Sequence, residues 1–422
     1  MSPIKPLHAT ASRSPSASLE RAGTNNFVPT NEKRIEGLAA IDAKKPPYTK
    51  GFVDDYRTRM KDDPDPEAQF TFAKYLIEAA RIIGDEMTMV GEVRNGKKYR
   101  DGLLAESLKH IKRLATSETE PYSEAQFFLA NIHGTGQLGH GVDHEQAYQL
   151  YVQAARQNHP TATYRTAVCN ELGTGTRKES NRAVLFYRRA ATLRDTAAMY
   201  KLGMILLKGL LRQAKKESDG IVWLRRAGRQ ADEENPHALH ELAMLHENPK
   251  LLGRAESLVT KDLPLSRNLY TQAALLGYAP SQLKLGVNYE YGTLHCPVDA
   301  RKSIAWLSRA AEQGNPEAEL ALSGWFLTGA EGLLRSNDAE AYLWARRSAN
   351  KGLAKAEFAV GYYTEVGIGV EKDLENARRW YMRAAAQRHS PARQRLTDMQ
   401  TNAAKGISRP TREAAPEGCI VA

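Results

Sequence analysis

The sequence predicts an all-α fold: a right-handed solenoid of helix–turn–helix repeats, flanked by a disordered N-terminal arm and a C-terminal tail. Three observations carry that prediction. A small residue recurs at Ala125, Ala162, Ala198, Ala238, Ser281, Ala318, Ala356 and Ala392, at intervals of 36 to 43 residues. Eleven residues after it stands a glycine in six of the first seven units: Gly136, Gly173, Gly209, Gly292, Gly329 and Gly367. Each unit then closes on a pair of small residues with a bulky one four positions earlier, from Leu150 before Ala154-Ala155 to Trp380 before Ala384-Ala385. A period of that length, with helical content and a turn in the middle, marks an array in which each pair of helices hides its apolar faces against its neighbours.

Taken in order, residues 1–62 are polar, rich in Ser, Pro and Lys, and read as a disordered basic arm. Ser14-Pro15 within it is a candidate phosphorylation dipeptide. Helical periodicity begins near Pro66. Ala68, Phe72, Tyr75 and Ala79 form one face, and Leu104, Leu108, Ile111 and Leu114 another, with Asn95-Gly96-Lys97-Lys98 expected as a polar loop between them. This stretch, about 66–120, reads as a degenerate capping repeat of a solenoid spanning 63–396, since terminal repeats are atypical. The full repeats run from about residue 121. In the last one, Ala356, Val360, Gly361 and Thr364 share a face, Gly367 and Gly369 break the helix, Asp373 precedes the second helix, and Trp380 and Tyr381 supply bulk between small residues. The fourth unit departs, with Pro249 in the glycine's place and a longer connection from Asn248 to Pro264. Residues 397–422 read as a flexible tail.

At 422 residues the chain exceeds what one compact core usually holds, a ceiling that a solenoid does not meet. The formal charge of +10 admits nucleic acid or an anionic membrane surface as partners. The positive charge is spread through the repeats as pairs such as Arg188-Arg189, Arg225-Arg226, Arg346-Arg347 and Arg378-Arg379 near expected helix C-termini, where cations are favoured anyway. No nucleic-acid motif accompanies them, so the pairs read as solvated faces and no nucleic-acid partner is expected. The three cysteines, Cys169, Cys296 and Cys419, make neither a disulfide framework nor a metal site. The N-terminus lacks the apolar core of a signal peptide, and no run of about 18 apolar residues occurs, so a cytosolic setting is expected.

Several apparent chemical motifs dissolve on inspection. Gly134-Thr-Gly136-Gln-Leu-Gly139 fits G-x-G-x-x-G but follows a helix rather than a strand. His144-Glu145 and His240-Glu241 begin like H-E-x-x-H, yet Tyr148 and Met244 occupy the second histidine's place. With no P-loop and no G-x-S-x-G, the expectation is a non-enzyme with no catalytic residue, metal, cofactor or small-molecule substrate. Cys419-Ile420-Val421-Ala422 forms a C-a-a-X box whose Ala favours a farnesyl group on Cys419, and hence a membrane contact; an unmodified thiol is the alternative. Two residues before the Leu position of the first helices lie Phe127, Tyr164, Tyr200, His240, Leu283, Leu320 and Phe358, with Tyr362 and Glu365 nearby in the last unit. Phe127, Tyr164, Tyr200, Phe358, Tyr362 and Glu365 are the candidate partner-binding residues of a concave face. Packing between neighbouring units explains the same stripe equally well.

The repeat consensus, small-x-x-x-Leu-Gly-x-x-Tyr-x-x-Gly followed by Ala-x-x-Trp/Tyr-Tyr-x-x-Ala-Ala, resembles the Sel1-like repeat, a relative of the tetratricopeptide repeat. The stretches Gly277–Gln282, Tyr289–Gly292, Glu319–Trp325, Ala341–Arg346, Lys351–Ala356 and Tyr363–Val370 are similar to the fungal chitin synthase activator, or regulatory factor, family. The resemblance runs from about residue 100 to 390. It implies a non-enzymatic protein that binds a membrane-embedded chitin synthase and activates or localises it, peripherally on the cytosolic face of the plasma membrane at the bud neck or septum, or on secretory vesicles. The competing expectation is a Sel1-type scaffold for ubiquitin-ligase or signalling complexes.

Overall fold

A computed structural model describes residues 46–405, with the side chains of 402–405 left aside. Ser14-Pro15, most of the arm and the Cys419 box lie outside the described residues. Among the described residues the structure is helical throughout, apart from one isolated bridge between Ala330 and Leu334.

The described residues divide into two compact units, 46–193 and 194–405. The first contains α1 (Lys50–Met60), α2 (Pro66–Met89), α3 (Val93–Ala115), α4 (Ser123–Thr135), α5 (His144–Arg156), α6 (Pro160–Leu172) and α7 (Ser180–Thr192). Two sequence expectations change here. Residues 50–60, expected within the arm, form α1, which buries Val53 completely and packs Tyr56 against Phe72 and Tyr75. Asn95–Lys98, expected as a loop, lies inside the first turns of α3. Gly96 explains why a polar stretch stays helical there. A Cβ on it would lie 3.0 Å from the Gly84 carbonyl oxygen, so the glycine lets α3 press against α2.

The second unit contains α8 (Thr196–Lys208), α9 (Glu217–Arg229), α10 (His237–Glu247), α11 (Leu263–Leu275), α12 (Ala279–Tyr291), α13 (Ala300–Glu312), α14 (Pro316–Thr328), α15 (Asp338–Asn350), α16 (Ala354–Val366), α17 (Leu374–Ala386) and α18 (Ser390–Lys405). The long connection of the fourth repeat is a 3₁₀ segment, Pro249–Leu258, kinked at Gly253.

The same local chemistry builds each repeat. Short polar caps open the helices: Asp143, Asp262, Asp299, Asn337 and Asp373 accept hydrogen bonds from backbone N–H groups in the first turns of second helices. Five of the seven first helices end on a left-handed glycine, as α16 does at Gly367 with φ 87°. Between the two helices the periodic small residues are fully buried, including Ala356, Ala377 and Ala384 in the last repeat. Polar side chains tie four of the seven repeats shut. Gln157 donates to Gln126 at 2.9 Å, Gln313 to Gln282 at 2.8 Å, Lys351 to Glu319 at 2.7 Å and Gln387 to Glu357 at 2.8 Å. Gln126 and Gln282 pass the connection on, donating to the carbonyls of Ala115 and Ala274 in the preceding helix. The eighth small residue, Ala392, opens a helix with no second helix after it among the described residues: α18 lays Ala392, Leu396 and Met399 on Phe358 and Tyr381.

Candidate functional site

The expected site residues do not converge. Phe127 is half-buried between Tyr151 and His159, with ring centroids 6.0 and 4.8 Å away. Tyr164 packs on Tyr187, and Tyr200 on His237. Phe358 is buried between Tyr381 and His389, and Tyr362 is buried beside Tyr363. Glu365 is 5% exposed; it accepts a hydrogen bond from the Tyr381 hydroxyl at 2.8 Å and from Arg395 Nε at 3.0 Å, which fastens α18 to the last repeat. Phe358, Tyr362 and Glu365 are therefore interior groups rather than a partner-facing stripe. Packing between successive helices accounts for all six.

Three residues in the same register have a different environment. His240 on α10, Leu283 on α12 and Leu320 on α14 line one groove of about 580 Å³ within the second unit. The first helices of three successive repeats thus supply its floor. Met244, Val287 and Leu353 widen the apolar lining, and Leu251 of the 3₁₀ segment, 61% exposed, forms part of one rim. Repeat spacing placed His240, Leu283 and Leu320 in one register without singling them out as the candidates, and it gave no sign of the rim, because the 3₁₀ segment has no counterpart in the other repeats.

Four polar groups of the groove are tied to partners. Glu247 accepts from the Tyr270 hydroxyl at 2.8 Å and pairs with Lys284, also at 2.8 Å. His240 Nδ1 lies 2.8 Å from Ser281 Oγ, linking the fourth and fifth repeats, and its ring meets those of Tyr270 and Tyr278 edge-on. Burial, aided by the Lys284 ammonium, pushes the His240 imidazole down to about 4, so it is neutral at pH 7. Burial and the adjoining Glu247 carboxylate push the Tyr270 phenol up. The site offers an apolar trough with an ion pair and neutral rings, suited to holding an apolar chain segment with one or two polar groups. Among the described residues, no group of three or more His, Cys, Asp or Glu side chains is placed to hold a metal, and no helix is long and apolar enough to cross a membrane.

The Sel1 repeat family model matches seven consecutive stretches, 123–159, 160–195, 196–232, 236–278, 279–315, 316–353 and 354–389. The chain is 37% identical over 372 residues to chitin synthase regulatory factor 3 of Schizosaccharomyces pombe, covering 87% of this chain and 39% of that protein. It is 33% identical over 341 residues to chitin synthase regulator SKT5 of Saccharomyces cerevisiae, covering 79% and 48%. Activator of C kinase protein 1 of Saccharomyces cerevisiae is 40% identical over 263 residues, covering 57% and 42%. The chain thus spans less than half the length of each of these relatives. Among solved structures, a Sel1 repeat protein from Oxalobacter formigenes shares the fold, with a TM-score of 0.51 at 20% identity over 90% of this chain and 97% of that one.

Proposed function

The chain belongs to the Sel1 repeat family and is a relative of the fungal chitin synthase regulatory factors, and from that premise we propose that it is a non-catalytic regulator that binds a membrane chitin synthase and activates or localises it. The observation that carries the reading is the groove floored by His240, Leu283 and Leu320. The array repeats one packing solution seven times, and beside this trough an inserted 3₁₀ segment raises a rim. A trough of this apolar character fits an apolar segment of a protein partner. The proposal keeps the farnesyl group on Cys419 as an anchor, and with it a peripheral position on the cytosolic face of the plasma membrane at the bud neck or septum, or on secretory vesicles. One lipid chain gives only marginal anchoring, so the protein partner supplies the remaining affinity in this reading.

The test is recovery of chitin synthase with the tagged chain from solubilised membranes, for the wild type, Leu283→Glu, Leu320→Glu and Cys419→Ser. The proposal expects synthase with the wild type, loss with either groove variant, and a shift of Cys419→Ser towards the soluble fraction. Synthase recovered undiminished with both folded groove variants would remove the groove from the proposal. No synthase with the wild type would remove the partner. A second reading, a scaffold for signalling complexes, draws on the similarity to Activator of C kinase protein 1. It expects kinase-pathway proteins in place of the synthase in the same recovery.

A further inference from the structure

Charge is sorted between the two kinds of helix in the second unit. Its five second helices, α9, α11, α13, α15 and α17, carry 12 Lys and Arg against 6 Asp and Glu. Its five first helices, α8, α10, α12, α14 and α16, carry 4 against 7. The groove lies on the acidic set, so the basic set forms a separate surface.

The arrangement of that surface repeats. On four of the five second helices an arginine lies over a tryptophan three residues earlier. Arg226 stands 4.7 Å from the Trp223 ring, Arg309 4.8 Å from Trp306, Arg347 4.7 Å from Trp344 and Arg383 4.4 Å from Trp380. Stacking holds the guanidinium flat on the indole and leaves its N–H edge outward. Arg383 also pairs with the buried Glu357, whereas Arg346, Arg378 and Arg379 are exposed and have no carboxylate partner among the described residues. Apolar side chains stand among these cations at helical spacing: Leu343 precedes Arg346 and Arg347 by three and four residues, and Met382 follows Arg379 and Arg378 by the same intervals. Leu343 is 48% and Met382 50% exposed.

We propose that this second-helix face, centred on α15 and α17, docks on an anionic phospholipid bilayer. The side chains on it divide the work as a bilayer interface requires. Arginines face the headgroup phosphates, Leu343 and Met382 meet the acyl boundary, and the inward-packed indoles of Trp344 and Trp380 hold Arg347 and Arg383 in place from beneath. The cations are spread over successive helices rather than gathered in a pocket, which matches a continuous sheet of negative charge. An acidic peptide would need a groove, and the groove of this unit lies among the acidic helices. This contact is independent of Cys419, and it supplies the second signal that one lipid chain needs for stable anchoring.

The test is co-sedimentation of the full chain without a lipid modification with phosphatidylcholine vesicles, alone or containing about one third phosphatidylserine. Arg346→Glu/Arg378→Glu/Arg379→Glu removes exposed cations, of which Arg346 lies 6.0 Å from the Tyr342 ring, and an unchanged circular dichroism spectrum and urea midpoint check that the fold is kept. Arg94→Glu/Lys97→Glu/Lys98→Glu makes the same charge change in the first unit. The wild type and the first-unit variant bind the anionic vesicles and release them as salt rises. At about 1 kcal/mol per arginine, the α15/α17 variant binds on the order of a hundredfold more weakly. Equal loss in both variants would show that net charge is responsible and overturn the assignment of the face. Equal binding to pure phosphatidylcholine, or binding to polyglutamate but to no vesicle, would overturn the bilayer as its partner.

Discussion

Gly361 sets how closely the two helices of the last repeat approach. A Cβ there would lie 2.7 Å from the Tyr381 ring, inside any real contact distance. The same register holds Gly203 against Leu224 and Gly286 against Leu307. Gly361→Ala therefore destabilises the protein by about 1–3 kcal/mol, the usual range for overpacking, read as a lowered urea midpoint. A substitution to alanine inside a helix would otherwise stabilise, so the sign of the shift tests the close approach. His240 gives a second residue-scale prediction. Its folded pKa is depressed to about 4, below the ordinary 6.5, so the unfolded chain binds the proton more tightly. The stability it contributes is fully present above about pH 6.5 and is lost as pH falls towards 4, on the order of 2–3 kcal/mol. His240→Gln flattens that step in a series of unfolding curves across pH; an unchanged step would assign the acid sensitivity to other groups.

At the scale of one element, the turn between helices is as demanding as the helices. Gly369 has a φ of 66°, and a Cβ on it would lie 2.0 Å from the backbone oxygen of Asp338 in the preceding repeat. The turn of one repeat thus rests directly on the start of a second helix in its neighbour. Gly369→Ala meets backbone rather than a movable side chain, and we expect a loss of about 2–4 kcal/mol, read by calorimetry. The caps are more forgiving. Asp373 accepts from the Asn376 N–H at 3.0 Å, and Asp373→Ala lowers stability by about 1 kcal/mol. A Gly369 variant no less stable than the Asp373 variant would mean that the neighbouring turns separate without cost. The glycine period in the sequence identified these turns, since only a left-handed position recurs so strictly. It did not identify α1, because Thr49 to Met60 is polar on most of its surface and its one fully buried side chain, Val53, leaves little periodic signal.

At the scale of the whole molecule, a repeat array needs its ends closed. α18 does this for the second unit by placing Arg395 on the buried Glu365 and Leu396 over Phe358 and Tyr381. Truncation after Gln387 leaves the Glu365 carboxylate without Arg395 and exposes that cluster, so we expect faster amide exchange in α16 and α17 before the rest of the second unit. Uniform exchange across the unit would mean that α18 closes nothing. The sequence by itself determined the helical class, the seven-repeat period and the glycine turns, because spacing and residue size express the packing that every repeat must solve alike, and the likeness of stretches such as Tyr363–Val370 carried the kinship with regulatory factors. Only the tertiary structure decided which of the residues in one register are interior and which line a trough. Phe358 and Leu320 occupy equivalent positions, yet α18 covers the first, while the second opens into the groove beside the 3₁₀ segment. A repeat records its own contacts in its sequence; whether a neighbouring element closes over a given side chain is settled only when the units are stacked.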